Sequence, residues 1–138
     1  MVREVTIREA SDTDLAAILT IYVESGISGG QSFTPEEARA NFLCFRRYPN
    51  YRLFVAEVDG VVAGTYSLLI QDKLAKRGAR AGIVDDVAVS PACQRRGVGK
   101  AMMEHARAEC RQAGCYKLAL SSNLRREDAH RFYESLGF

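Results

Sequence analysis

Two carboxylates stand side by side in an otherwise apolar run, Ile83-Val84-Asp85-Asp86-Val87-Ala88-Val89. A carboxylate inside such a segment is costly unless it is paired or in use. The chemistry it offers is proton acceptance. Strand alternation predicts opposite faces for neighbouring side chains, so one of the pair faces a substrate and the other does not. A little further on comes Gln94-Arg95-Arg96-Gly97-Val98-Gly99-Lys100. Helix starts leave backbone N–H groups without partners and carry partial positive charge. Glycines there let a phosphate approach the backbone, and Arg95, Arg96 and Lys100 add side-chain charge. The segment reads as a ready anion site. It lacks both the G-x-x-x-x-G-K-[ST] loop of nucleoside-triphosphate binders and the G-x-G-x-x-G dinucleotide fingerprint. The plain alternatives are an ordinary strand-to-helix turn with exposed arginines, and aspartates bonded to backbone or to an arginine.

These residues need elements to position them. Val5–Arg8 alternates apolar and charged residues and predicts a strand. Thr13–Glu24 has helical spacing through Leu15, Ile18, Leu19 and Tyr22, broken by Gly26, Gly29 and Gly30. Thr34-Pro35-Glu36-Glu37 is a helix start with a capping box, and predicts a helix to about Arg46. Leu53–Val58 and Val61–Leu69 flank Asp59-Gly60, a tight-hairpin signal. Gln71–Arg80 is polar, basic and without period, hence a loop. Ile83–Val89 is a strand and Gly97–Ala113 a helix ended by Gly114. Tyr116–Leu120 is a strand, and Glu127–Leu136 a helix stopped by Gly137. A strand–helix–strand unit from Ile83 to Leu120 implies a parallel pair joined by a right-handed crossover. The hairpin before it is antiparallel, so the class is α/β (α+β) with a mixed sheet.

The 138 residues suit a single domain spanning 1–138. With 47% hydrophobic and 26% charged residues the chain is globular. A net charge of +2 argues against nucleic acid as a partner, and the basic residues have no interleaved aromatics to stack on bases. The charge is local, in Lys73, Lys76, Arg77 and Arg80 and in Arg95, Arg96 and Lys100, which suits a local anion. Cys44, Cys93, Cys110 and Cys115 form no C-x-x-C pair and have no histidine at metal-ligand spacing. No metal site is therefore expected, and reduced thiols in the cytoplasm are. No secretory signal or membrane-length apolar run is visible.

Gln94-Arg-Arg-Gly-Val-Gly resembles the [QR]-x-x-G-x-[GA] signature of the GNAT family of N-acetyltransferases. Val84-Asp-Asp-Val-Ala-Val-Ser-Pro is similar to the strand preceding that family's pyrophosphate loop. Ala129-His-Arg-Phe-Tyr133-Glu-Ser-Leu-Gly-Phe138 is similar to its A-x-x-F-Y-x-x-x-G-F helix. The resemblance spans essentially the whole chain. It implies the GNAT fold: a central, mostly antiparallel mixed sheet with a splayed parallel pair, flanked by helices on both faces. It also implies acetyl-CoA as cosubstrate, with the backbone of Val87, Ala88 and Val89 on the pantetheine arm. Gln94, Arg95, Arg96, Gly97, Val98, Gly99 and Lys100 would hold the pyrophosphate.

The reaction so implied is acetyl transfer to the primary amine of a small molecule, by direct attack in a ternary complex. Asp85 matches a position often acidic in the family and is the favoured base, through a water because Asp is short; Asp86 is the alternative. Tyr133 matches the tyrosine that faces the coenzyme sulfur, and a phenol can protonate a leaving thiolate; otherwise it is a core residue beside Ala129, Phe132 and Leu136. Arg126 replaces a usual pantetheine-binding asparagine, for which Asn123 is a substitute. His130 lies one turn before Tyr133, and His105 reads as structural. Leu120–Tyr133 resembles aminoalkylphosphonate N-acetyltransferases locally. If the Gln71–Arg80 loop closes over the acceptor, an acidic or phosphorylated amine suits it; otherwise it is a solvated loop. The rival readings are a non-catalytic acetyl-CoA sensor and a protein or peptide N-acetyltransferase. Family members continue past the point matching Phe138 into two more strands, which are expected to be missing here. A longer native chain or a homodimer is therefore expected, to cover the edge of the last strand.

Overall fold

A computed structural model describes residues 4–28, 33–120, 131 and 134. Five strands form one sheet in the order β1-β2-β3-β4-β5: β1 Val5–Glu9, β2 Tyr51–Val58, β3 Val61–Gln71, β4 Arg80–Val89 and β5 Cys115–Leu120. The first four run antiparallel to their neighbours, and β5 is parallel to β4. Among the described residues they are flanked by α1 Leu15–Glu24, α2 Pro35–Phe45 and α3 Val98–Gln112.

The expected local signals operate as physics requires. Asp59 and Gly60 both take positive φ (53° and 75°) between the paired Val58 and Val61, as a two-residue turn demands. Both arms of the α2 capping box are made. Thr34 Oγ1 accepts from the Glu37 N–H at 3.2 Å, and Glu37 Oε1 accepts from the Thr34 N–H at 2.9 Å. The strands run slightly longer than their apolar runs, since ladder pairing carries β3 to Gln71 and β4 back to Arg80.

The sheet separates two apolar layers. On one face α3 packs Val98, Met102, Met103, Ala106 and Cys110 against Phe54, Tyr66, Leu68, Val84 and Val87. On the other, Ile18 of α1 and Phe42 of α2 pack on Leu53 and Val55. Burial of these side chains is what holds the helices to the sheet. The expected last helix lies almost wholly outside the described residues; Arg131 and Glu134 within it are helical.

Candidate active site

β4 does not run straight through its two aspartates. Thr65 pairs with Ala88 and Ser67 with Asp85, so Tyr66 alone opposes both Asp86 and Val87. This is a β-bulge, and Asp86 takes the extra position with φ 51°. Aspartate is one of the few side chains that tolerates this left-handed conformation. The bulge changes the facing of the strand. Val84 and Val87 both enter the α3 core, whereas perfect alternation would have sent Asp86 there. The carboxylates of Asp85 and Asp86 instead both bear on Tyr51, which stacks on Phe45 of α2 at 4.0 Å between ring centroids. The expected division of the pair between opposite faces therefore fails, because one inserted residue breaks the period of two.

Asp86 opens onto a cavity of about 660 Å³ lined also by Leu19, Tyr22, Ile27, Ser28, Phe33 and Glu37. That volume is in the range of small-molecule sites. Asp86 as a residue is exposed, yet desolvation of its carboxyl against the cavity wall pushes it above its ordinary value, and the neighbouring Asp85 charge pushes it further. The cavity also contains groups that the sequence signals did not single out. Tyr22 was absorbed by the helical spacing of α1, and Glu37 by the capping box. Ser28 Oγ is buried and has no hydrogen-bond partner among the described residues. Two other hollows, of about 460 and 360 Å³, surround Arg46 and Arg52 and are lined by no residue of β4 beyond Arg80 or of the glycine-bearing turn.

The candidate anion site lies at the start of α3. The chain leaves β4 through a short 3-10 turn, Pro91–Cys93, then takes positive φ at Arg95 (65°) and Gly97 (80°). The first helical bond runs from the Ala101 N–H to the Gly97 carbonyl at 3.0 Å. The N–H groups of Val98, Gly99 and Lys100 thus have no acceptor within the helix. A Cβ placed on Gly97 would meet nothing within 4 Å, so the space in front of the turn is open. Gln94, Arg95, Arg96 and Lys100 are exposed around it, and Val98 is buried and anchors the turn. These residues fit a pyrophosphate: unpaired N–H groups, room at a glycine and cationic side chains converge.

Ala88 is buried and Val89 half-buried, both paired with β3. The described β4–β5 ladder runs to Val84 and Leu120. Tyr133, Asn123, Arg126 and His130 lie outside the described residues. His105 belongs to the opposite face. Its Nδ1 lies 2.6 Å from the Tyr66 hydroxyl. Burial lowers the imidazole pKa and raises that of the phenol, so Tyr66 O–H donates to a neutral ring. His105 therefore satisfies a fully buried tyrosine. The basic loop is not brought to the cavity: none of Lys73, Lys76 and Arg77 lines it.

The family model that describes the GNAT acetyltransferases matches residues 10–138. The chain belongs to the GNAT family of acetyltransferases. It has the mixed sheet, parallel β4–β5 pair and flanking helices of that fold. Family members use acetyl-CoA. A glucosamine 6-phosphate N-acetyltransferase of Trypanosoma brucei brucei is 37% identical over 87 residues, covering 63% of this chain and 57% of that protein. An aminoalkylphosphonate N-acetyltransferase of Salmonella typhimurium is 34% identical over 90 residues, covering 65% and 58%. The chain thus spans under two thirds of the length of these curated relatives. A putative acetyltransferase from Agrobacterium tumefaciens superposes with a TM-score of 0.87 at 30% identity, covering 96% of this chain and 92% of that one. No helix among the described residues is long and apolar enough to cross a membrane.

Proposed function

We propose that this GNAT protein transfers the acetyl group of acetyl-CoA to the primary amine of a small molecule, by direct attack in a ternary complex. The observation that carries this reading is the pairing of an anion-ready α3 start with a nearby carboxylate of raised pKa that opens onto a small-molecule cavity. Acetyl-CoA supplies an activated thioester. The amine nitrogen attacks its carbonyl carbon, the C–N bond forms, and the C–S bond breaks. Asp86 accepts the proton that the nitrogen sheds; Asp85, beside it, raises its basicity. Tyr133, on the family resemblance, returns a proton to the departing thiolate. Val87, Ala88 and Val89 hold the pantetheine arm through backbone groups, and the Gln94–Lys100 turn holds the pyrophosphate. Asn123 and Arg126 complete the coenzyme contacts on the same resemblance.

Two features extend this reading. A homodimer would cover the outer edge of β5, which has no strand partner among the described residues, and unpaired thiols suit the cytoplasm. A monomer by sedimentation would remove the first. The central test is release of free coenzyme from acetyl-CoA over a panel of primary amines. Turnover with at least one small amine, and loss of kcat in Tyr133→Phe with coenzyme affinity kept, supports the reaction. Binding of acetyl-CoA without turnover of any amine or peptide would instead mean a sensor, and turnover of peptides alone a protein-modifying enzyme.

A further inference from the structure

We propose that the acceptor carries two cationic nitrogens, one acetylated beside Asp86 and a second held by Glu37. This rests on the N-acetyltransferase reading and specifies its substrate class. Asp86 enters the cavity from β4 and Glu37 from α2, so two carboxylates from different elements line one space. Glu37 is fixed, because one of its oxygens accepts the Thr34 N–H at 2.9 Å. That bond also holds its carboxyl below the ordinary value and keeps it an anion. Asp86 has no hydrogen bond or ion pair with any described residue. Leu19, Tyr22, Ile27 and Phe33 supply the rest of the wall, a surface suited to the carbon skeleton between two nitrogens. Ser28 Oγ on the same wall is buried and has no hydrogen-bond partner among the described residues, which leaves it open to a ligand N–H or O–H.

A phosphate placed here would meet two like charges. Among the described residues, the basic cluster of Lys73, Lys76 and Arg77 sits on the β3–β4 loop, before Arg80. Asp86 is a further stretch along β4, roughly 20 Å at the rise of an extended strand. Among the described residues that line it, the cavity carries two carboxylates and no cation, the opposite of what a phosphate- or phosphonate-bearing amine requires.

The test uses the full chain with acetyl-CoA and three acceptor series: linear α,ω-diamines, length-matched monoamines, and length-matched amino-phosphates. The best diamine should exceed its monoamine in kcat/KM by about tenfold or more, the scale of one charge-assisted hydrogen bond. Glu37→Gln should raise the KM for that diamine toward the monoamine's with less effect on kcat. Glutamine still completes the capping box, so an unchanged melting temperature is expected. Glu36→Gln, in the same turn but not on the cavity wall, should leave the preference intact. Equal use of diamine and monoamine, a preference that survives Glu37→Gln, or a preference for the amino-phosphate would overturn the proposal. If no amine is acetylated, the reaction reading falls. Calorimetric binding of the diamine to wild type and Glu37→Gln then decides this proposal alone, since weaker binding by the variant supports it and equal binding rejects it.

Discussion

The phenol of Tyr22 and the carboxylate of Asp86 stand on the same cavity wall, where burial raises the tyrosine's pKa and the Asp86 charge raises it further. Tyr22 is thus a neutral hydrogen-bond donor at any working pH, and the group that titrates in this corner is Asp86. Its pKa is raised from 3.8. A protonated carboxyl cannot take a proton from the amine, so kcat should fall as pH drops through that raised value. Asp86→Asn should lower kcat by about 10²–10⁴ and abolish the acid limb. Asp85→Asn removes the neighbouring like charge and should move the limb to lower pH while keeping turnover. The pH profiles of the two variants check this; if Asp85→Asn is the one that loses the limb, Asp85 is the base.

Gly97 should separate coenzyme binding from folding. Its φ of 80° costs most other residues roughly 1–2 kcal/mol, yet beyond its own neighbours in the chain nothing described lies within 4 Å of where its Cβ would be. Gly97→Asn, a side chain that tolerates the left-handed region, should therefore lower the melting temperature by only a few degrees. The added side chain would stand where a phosphate approaches, and the dissociation constant for acetyl-CoA should rise at least about tenfold. Calorimetry and thermal melts check both halves. Unchanged coenzyme affinity would move the pyrophosphate off the α3 turn.

The elements around these residues were legible because their signals are local. A capping box at Thr34 and Glu37, a two-residue turn at Asp59-Gly60 and the glycine-bearing turn before α3 each act within a few residues, and each formed as its chemistry requires. The bulge at Asp86 was not legible. It comes from pairing with β3, a partner distant in sequence, and no turn residue or glycine announces it. One inserted residue was enough to reverse the predicted facing of Asp86 and to put both aspartates on the α1–α2 side. The cavity was hidden for a related reason. Leu19, Tyr22 and Glu37 each had a sufficient local explanation, and only the packing of α1 and α2 on the sheet shows that they share a space with Asp86.

On the first strand, Arg8 ties three segments together. Its Nη1 and Nη2 donate to the two Asp14 oxygens at 2.7 and 2.9 Å, and its Nε donates to Glu57 Oε1 at 2.7 Å. Asp14 is 5% exposed, and the Arg8 bonds hold its carboxyl down to about 2 from an ordinary 3.8. A depressed folded-state pKa stabilises the protein above the unfolded value, and that stability is lost as pH falls through 3.8 toward about 2. Urea titrations across that window should show wild type losing about 2 kcal/mol more than Asp14→Asn does. Parallel curves would mean that the ion pair contributes nothing specific to the fold.

The junction of β4, β5 and α3 depends on the absence of one methyl group. A Cβ on Gly82 would lie 2.3 Å from Cys110 Sγ and 3.3 Å from Leu118 Cδ1. Cys110 is buried, and burial above all pushes its thiol up to about 12. It is therefore a packing group rather than a nucleophile. Its side chain is short and has little freedom to swing aside. Gly82→Ala should consequently destabilise the protein by about 1–3 kcal/mol through overpacking. Cys110→Ala alone should cost less than a long side chain would, because only the sulfur is removed. The double variant should then be more stable than Gly82→Ala, since the new methyl occupies the space the sulfur left. Denaturant unfolding of the two single variants and the double variant measures that coupling. Additive losses, with no recovery in the double variant, would show that the close approach of β4 to α3 is set by something other than this contact.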